Sequence, residues 1–500
     1  MSNRQSQTSR TITDTSVDSS MLRALAWTGA VRWPTQVVMW LCTLVVARIL
    51  SPTDYGLVGM ATLYLGLVSL VNEFGLGSAV VTLRELDECR IAQLNTISLG
   101  LGMACFLLSC AAAIPIGHFF SAPRVPAIVM VMSVGFLISS FLTVPDALLQ
   151  KDLRFKFLAQ VEVVKALAQA VVTVIAALLG AGYWALVFGS LIGTSAATVT
   201  TLAVCRRGFA VPQLSILRPA VSYSQDILIS RLAWYGYSNA DFMVAGRVLG
   251  AVPLGFYTMA WNIANIPVDK ITSLVARVTQ AFFSAVQDDN LALRDYLMNL
   301  SAGIALFTFP ASVGLSLEAG HLITLVLGPK WMGAIIPLRL LSFYVSLRSI
   351  TTLLPVVLNV RRHSRFVMWN TVAAVVIFPI AFFAGSHWGT TGIAAAWIMC
   401  YPLNVVPLYW KAFRTIELSL NSYLQSLWPA FSSSLGLVVA IFGLQVALPG
   451  AWSLALRTAI EIVAGSGAYA LLFLLFHRDR LRGLYVNLKA VRQSEPVMCY

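Results

Sequence analysis

The sequence predicts an all-α polytopic membrane protein of about 14 transmembrane helices. Hydrophobic residues occupy 58% of the 500 positions and charged residues only 11%, whereas soluble domains carry roughly 25% charged residues. A stretch near the start also recurs near the middle: ARILSPTDYGLVGMA (47–61) aligns without a gap to GRVLGAVPLGFYTMA (246–260). Together these observations predict two parallel-repeat six-helix bundles around a central cavity, plus two C-terminal helices.

The apolar runs define the elements in chain order. The first run, 27–50, is too long for the core of a signal peptide, so it is expected to remain in the mature protein as the first helix. Further runs of membrane-spanning length follow at 57–82, 93–117, 126–148, 159–180, 183–205, 226–249, 254–283, 296–318, 333–358, 364–384, 389–410, 423–447 and 452–476.

The repeat groups these spans into domains. The predicted order is a disordered cytoplasmic tail (1–22), an N-terminal six-helix bundle (23–205), a cytoplasmic linker (206–225), a C-terminal six-helix bundle (226–410), two appended transmembrane helices (411–476) and a basic cytoplasmic tail (477–500). The copies are offset by 199 residues, and the same offset carries Arg32 onto Arg231. Because an even number of spans separates the copies, both halves insert with the same orientation, as in transporters that hold substrate near mid-membrane.

The formal charge of +13 reflects membrane topology. Loops on the side of the N-terminus carry 22 basic residues against 5 on the opposite side, which predicts that both termini are cytoplasmic. No soluble domain presents a basic patch, so no nucleic-acid partner is expected. The seven cysteines form no C-x-x-C pair, which argues against a metal site or a disulfide framework. Short loops and dispersed histidines predict no enzyme, no catalytic residues and no cofactor.

Four stretches resemble one known family: ARILSPTDYG, NEFGLGSAVV, LLQKDLRFK and the run from NADFMVAGRVLG to NIPVDKITSLVARVTQAFFSAVQDD. They are similar to polysaccharide exporters of the MOP superfamily, specifically the Wzx-type and colanic-acid-exporter-like branch, over roughly residues 25–410. The chain departs from relatives that have Arg or Gln where it has Asp269.

The resemblance implies translocation of undecaprenyl-pyrophosphate-linked oligosaccharide repeat units across the cytoplasmic (inner) membrane by alternating access, for exopolysaccharide, capsule or O-antigen biosynthesis. The implied partners are the lipid-linked oligosaccharide, membrane lipids, and the polysaccharide polymerase and export machinery. Two related cargoes stay open, namely a drug in a cation-coupled antiporter and a peptidoglycan precursor in a flippase. A third hypothesis is a membrane scaffold that transports nothing, and the repeat-related charges inside the spans disfavour it.

A pyrophosphate cargo needs cations that stay charged when partly desolvated, which Arg does best because its planar fork donates two hydrogen bonds at once. Seven basic residues lie within spans, and four of them are the predicted phosphate-binding residues: Arg32, Arg231, Lys270 and Arg348. Amides and aromatic rings in the same spans are the predicted sugar contacts: Gln36, Trp234, Tyr235, Trp261, Asn262 and Asn265. Packing within a bundle is the alternative role for each aromatic residue.

The chain has no G-x-x-x-x-G-K-[ST] nucleotide motif, so transport would need an ion gradient or a lipid gradient. Glu73 and Asp241 lie inside spans and are the predicted sites of proton or sodium coupling. A fixed bridge to a neighbouring Arg is their alternative role. On a regular helix Arg231, Trp234 and Asp241 share an arc of about 80°, which predicts one polar face.

Overall fold

A computed structural model describes residue 36 and residues 38–72, 87–206, 208–211, 231–448 and 452–477. Within these ranges every regular element is helical, so the predicted all-α fold is confirmed. The predicted site residues Arg32 and Glu73 lie outside the described residues. So do the tail 1–22 and nearly all of the predicted segments 206–225 and 477–500.

The described residues form fourteen helical segments, numbered α1 to α14 in chain order. The first six are α1 (Val38–Ile49), α2 (Pro52–Asn72), α3 (Glu88–Phe119), α4 (Val125–Lys151), α5 (Phe155–Leu178) and α6 (Trp184–Val204). The other eight are α7 (231–249), α8 (Ala251–Ala285), α9 (Asn290–Leu327), α10 (Pro329–Val360), α11 (Ser364–Ser386), α12 (Gly389–Ile416), α13 (Leu420–Ala447) and α14 (Leu454–Phe476). Among the described segments, eleven are long and apolar enough to cross a membrane, all except α1, α7 and α8. The chain is a multi-pass membrane protein.

The chain divides into two compact units, Met1–Tyr235 and Gly236–Tyr500. In the first unit α3 packs along α4, α5 packs along α6, and α6 also contacts α4. Small residues mark these crossings: a Cβ on Gly102 would lie 2.7 Å from the Ser140 Cβ, and one on Gly189 would lie 1.9 Å from the Thr173 hydroxyl. Membrane helices use such residues to bring their backbones close, because lipid supplies no hydrophobic drive for helices to associate.

In the second unit α11 and α12 approach each other closely at a pair of glycines next to their connection. A Cβ on Gly392 would lie 2.0 Å from the Gly385 carbonyl oxygen, and one on Gly385 would lie 2.6 Å from the Gly392 carbonyl oxygen. The same unit packs α9 against α10 and α13, and α13 against α14. The helices α13 and α14 are therefore packed onto the bundle through α9.

Arginines at the helix ends and connections gather at one end of the second unit. Arg294, at the start of α9, donates to the Glu417 carboxylate at 2.9 Å, just after α12. Arg361, after α10, donates to the carbonyl of Gln287 at 2.7 Å, just after α8. Three connections that the sequence placed on one side of the membrane thus meet at one end of the unit.

The repeated stretches fold alike. In the first copy α1 ends at Ile49 and α2 begins at Pro52, and in the second copy α7 ends at 249 and α8 begins at Ala251. Shifted by 199 residues, the two junctions agree to within one residue. The duplication seen in the sequence is therefore a duplication of a helix–turn–helix element.

A Val-Leu-Gly sequence ends both α7 and α9. Ala245–Leu249 and Ile323–Leu327 are π-helical, and each is followed by a glycine with positive φ, 88° at Gly250 and 92° at Gly328. Only glycine adopts these backbone angles without strain. The glycine stops each helix and lets the next begin one residue later.

Gly392→Ala is expected to lower the apparent melting temperature of the purified protein, because the added methyl group would overlap the Gly385 carbonyl oxygen. Overpacking of this kind costs about 1–3 kcal/mol. Gly303→Ala in α9 is the matched control, since a Cβ there meets no atom within 4 Å and alanine favours a helix over glycine. A Gly392→Ala protein that melts at or above the control would contradict this account of the crossing.

Candidate functional site

Arg348 is the centre of a polar site between α10 and α8. Its Nη2 donates to the Asn265 side-chain oxygen at 2.6 Å and lies 3.4 Å from an Asp269 carboxylate oxygen. Its guanidinium carbon lies 5.7 Å from the ring centroid of Trp261. Trp261, Asn265 and Asp269 recur every four residues and so share one face of α8. The fold therefore joins three predicted cargo residues (Trp261, Asn265 and Arg348).

The Arg348 site is only partly shielded from solvent. The Arg348 side chain is 29% exposed and that of Asp269 is 63% exposed, so their ion pair contributes at most about 1 kcal/mol to stability. Asn265 is nearly buried, and its amide nitrogen donates to the Trp261 carbonyl at 2.8 Å, which orients its oxygen toward Arg348. The Arg348 guanidinium is thus hydrogen-bonded to the oriented amide of Asn265, and its contact with the Asp269 carboxylate is weak enough to be replaced.

An aromatic cluster continues from the ring of Trp261. Tyr344 of α10 and Trp397 of α12 stack at 4.6 Å between centroids, and Trp261 lies 6.1 Å from Tyr344 and 5.9 Å from Trp397. Tyr344 and Trp397 are buried and Trp261 is half-buried. Trp261 therefore packs against Tyr344 and Trp397 and also makes a cation–π contact with Arg348.

Asp241 lies at the other end of this cluster, fully buried. One carboxylate oxygen, Oδ2, accepts hydrogen bonds from the Tyr257 hydroxyl at 2.7 Å and from the Trp397 indole nitrogen at 2.9 Å. The other, Oδ1, has no hydrogen-bond partner among the described residues. Within those residues Asp241 is held by neutral donors, and no Arg or Lys bridges it. Its predicted alternative role, a bridge to Arg, thus finds no partner in the part of the chain that the structure describes.

The residues of α7 divide between the two units. Arg231 and Trp234 are exposed. The Tyr235 hydroxyl donates to the Leu63 carbonyl of α2 at 2.9 Å, where Gly66 leaves room for its ring. A turn at Asn239 then interrupts the helix, so the helical arithmetic that put Arg231 and Asp241 on one face does not extend across it.

The other predicted site residues lie apart from these contacts. Gln36 is helical and half-buried, and Asn262 is exposed on α8. The backbone of Lys270 is part of α8, and its side chain is outside the described part. Trp397, which sequence reasoning missed, stands 156 residues from Asp241. No local pattern distinguishes it from the other tryptophans of the spans.

A family model described as "Polysaccharide biosynthesis protein" matches residues 45–336, more than half of the chain. The chain belongs to this polysaccharide biosynthesis protein family. This family member is 26% identical over 425 residues to the lipopolysaccharide biosynthesis protein WzxC of Escherichia coli K12, which covers 81% of this chain and 84% of WzxC. It is also 26% identical over 412 residues to the teichuronic acid biosynthesis protein TuaB of Bacillus subtilis 168, which covers 81% of this chain and 85% of TuaB.

Among solved structures, the lipid II flippase MurJ in an inward closed conformation aligns with a TM-score of 0.75. The alignment covers 91% of this family member and 99% of MurJ at 12% identity, so it establishes the fold. The family match confirms the predicted resemblance to polysaccharide biosynthesis proteins, and the MurJ alignment confirms the predicted all-α membrane fold.

Tyr257→Phe is expected to lower the apparent melting temperature, because it removes a donor from the buried Asp241 carboxylate. Trp397 still donates to the same oxygen, so the cost is that of one hydrogen bond to a charged group, about 1.5–3 kcal/mol. Tyr64→Phe is the matched control, since the buried Tyr64 hydroxyl has no hydrogen-bond partner among the described residues. Equal melting temperatures for the two variants would show that the Tyr257 hydroxyl does not stabilise Asp241.

Proposed function

We propose that this family member is a flippase that moves undecaprenyl-pyrophosphate-linked oligosaccharide repeat units across the cytoplasmic membrane by alternating access. The family match and the relatives' names support a role in polysaccharide biosynthesis. The duplicated helix pairs support two equivalent halves, the arrangement that alternating access uses. The 22-to-5 division of basic loop residues supports a topology with both termini in the cytoplasm.

The observation that carries the cargo assignment is the Arg348 site. A pyrophosphate needs charge-assisted donors, and the guanidinium of Arg348 offers five N–H groups in a planar fork. Its contact with Asp269 is long and exposed, so phosphate oxygens can displace that carboxylate. The neighbouring ring of Trp261 and the exposed amide of Asn262 suit the apolar faces and hydroxyl groups of a sugar. Arg231, Lys270 and Arg32 complete the proposed phosphate-binding set.

Transport is tested by leaflet exchange of a fluorescent undecaprenyl-pyrophosphate oligosaccharide in reconstituted liposomes. Arg348→Gln and Arg231→Ala are expected to lower the initial rate about tenfold or more, because each removes charge-assisted hydrogen bonds worth about 1.5–3 kcal/mol. Arg414→Gln is the matched control: Arg414 also stacks on a tryptophan, Trp410, at 5.5 Å, but it lies in the last turn of α12, away from the site.

Four outcomes would overturn the cargo assignment. Equal exchange by wild type and both site variants would remove Arg348 and Arg231 from cargo binding. Export of a cationic dye without lipid exchange would identify a drug antiporter. Faster exchange of a peptidoglycan precursor than of the oligosaccharide lipid would make the precursor the cargo. Absence of all three activities would favour a scaffold.

We also propose that Asp241, together with Glu73, couples transport to a proton or sodium gradient. Asp241 supports this because it is buried, is held by neutral donors, and keeps one oxygen without a partner among the described residues. An oxygen of this kind can accept a proton or contact a cation, whereas a carboxylate already paired with an Arg cannot readily do so. The same arrangement explains why an acid is retained within an apolar span.

Asp241→Asn is expected to abolish the dependence of leaflet exchange on an imposed proton or sodium gradient, because the amide neither exchanges a proton in this range nor carries the charge that attracts a cation. The rate with and without each gradient is the measurement. Asp295→Asn, an exposed position at the start of α9, is the control. Gradient dependence that persists in Asp241→Asn would assign Asp241 to helix packing alone.

A further inference from the structure

A second set of buried acids lies far from Arg348 in the chain, where α9, α13 and α14 meet. Glu318 and His321 stand three residues apart on α9, and Glu461 lies on α14. The His321 Nδ1 is 3.1 Å from Glu318 Oε2 and also 3.1 Å from Glu461 Oε2. One donor atom from each of the three residues lies within 4.8 Å of the other two. The cluster joins α14, the last helix of the described residues, to α9.

The charge of this cluster is not balanced by the described residues. Glu318 is 1% exposed and Glu461 is 0% exposed, and among the described residues their ion-pair partner is His321. Even with a protonated His321, two carboxylates leave a net negative charge. The nearby Arg457 of α14 directs its Nη2 to the Gln445 carbonyl at 3.5 Å. Burying an uncompensated carboxylate is costly, so the cluster favours a bound cation.

The Glu461 carboxylate gives a second indication of a bound cation. The remaining oxygen of Glu461, Oε1, is buried and has no hydrogen-bond partner among the described residues. Natural proteins pair nearly all such atoms, so a buried orphan acceptor indicates an ion or a water in that place. The other oxygen of Glu318, in contrast, accepts from the Gln445 side-chain amide of α13 at 3.4 Å. An outer contact of that kind orients a metal-binding carboxylate.

The donor atoms suit one class of cation. One imidazole nitrogen with two carboxylate oxygens is a ligand set of divalent transition metals, with bonds of about 2.0–2.2 Å to zinc. Ligand atoms around such an ion stand roughly 3.4 Å apart in tetrahedral geometry, close to the two distances of 3.1 Å from His321 Nδ1. The His321 side chain is 29% exposed, which leaves a path for the ion and a place for a water ligand.

We propose that Glu318, His321 and Glu461 bind one divalent transition-metal ion of the zinc class, which clamps α14 to α9. This site is independent of the proposed cargo and coupling residues. It gives α13 and α14 a specific attachment to the bundle in addition to their apolar packing. The metal supplies the positive charge that the three side chains lack, and Gln445 extends the attachment to α13.

The test uses the full-length purified chain in detergent, freed of any polyhistidine tag. After dialysis against Zn²⁺, elemental analysis is expected to find one equivalent of zinc per chain, and Co²⁺ is expected to give the visible absorption of a nitrogen- and oxygen-ligated ion. Glu461→Gln and His321→Gln are expected to weaken zinc binding at least tenfold and to remove the zinc-dependent rise in apparent melting temperature. His387→Gln, at an exposed histidine after α11, is the matched control and should bind like wild type.

Two results would overturn the proposal. Zinc binding unchanged in both Glu461→Gln and His321→Gln would place the metal elsewhere. A wild type that binds no zinc, with a Glu461→Gln variant that melts higher than wild type, would show that the two carboxyl groups share a proton. Size-exclusion profiles show whether each variant is folded, and the two variants act independently because His321→Gln leaves both carboxylates in place.

Discussion

The placement of Asp241 away from water is the constraint on which the packing of α7, α8, α10 and α12 depends. An ionised carboxylate within a membrane protein is stable only when donors or a cation surround it. Tyr257 of α8 and Trp397 of α12 supply two donors to the same oxygen, which ties three helices to one atom. Because Trp397 also stacks on Tyr344 of α10, the polar network and the aromatic core form a single assembly.

Arg348 also needs partners for its charge, but unlike Asp241 it is partly exposed to solvent. Its charge is paired with a partly exposed acid and a fixed amide, and the aromatic ring of Trp261 covers one side. A fully buried pair would be hard to open, whereas a half-exposed one exchanges partners at low cost. Trp261 contacts both Arg348 and Trp397, so the proposed cargo site and the proposed coupling carboxylate are joined through packed rings within one unit.

The helices α13 and α14 are more than additional membrane anchors. Apolar packing holds α13 against α9 and α14, and the Tyr469 hydroxyl of α14 donates to the Leu306 carbonyl of α9 at 2.7 Å. The cluster of Glu318, His321 and Glu461 adds a charged contact at the end of the same helices. Two buried acids this close favour a bound cation, which makes the attachment of α14 sensitive to what the cluster binds.

Sequence alone determined the class of protein, the repeat and most helix bounds, because hydropathy and helix length are local properties. The run 183–205, for instance, became Trp184–Val204. It also singled out Asp241 and Arg348 as charges inside apolar spans. Only the tertiary structure decided their partners, since Trp397 lies 156 residues from Asp241 and Asn265 lies 83 residues from Arg348. Glu318 and Glu461 are also acids within predicted spans. Their contact through His321 depends on how α9 and α14 cross and on which face each helix turns to the other, and no local sequence pattern encodes this.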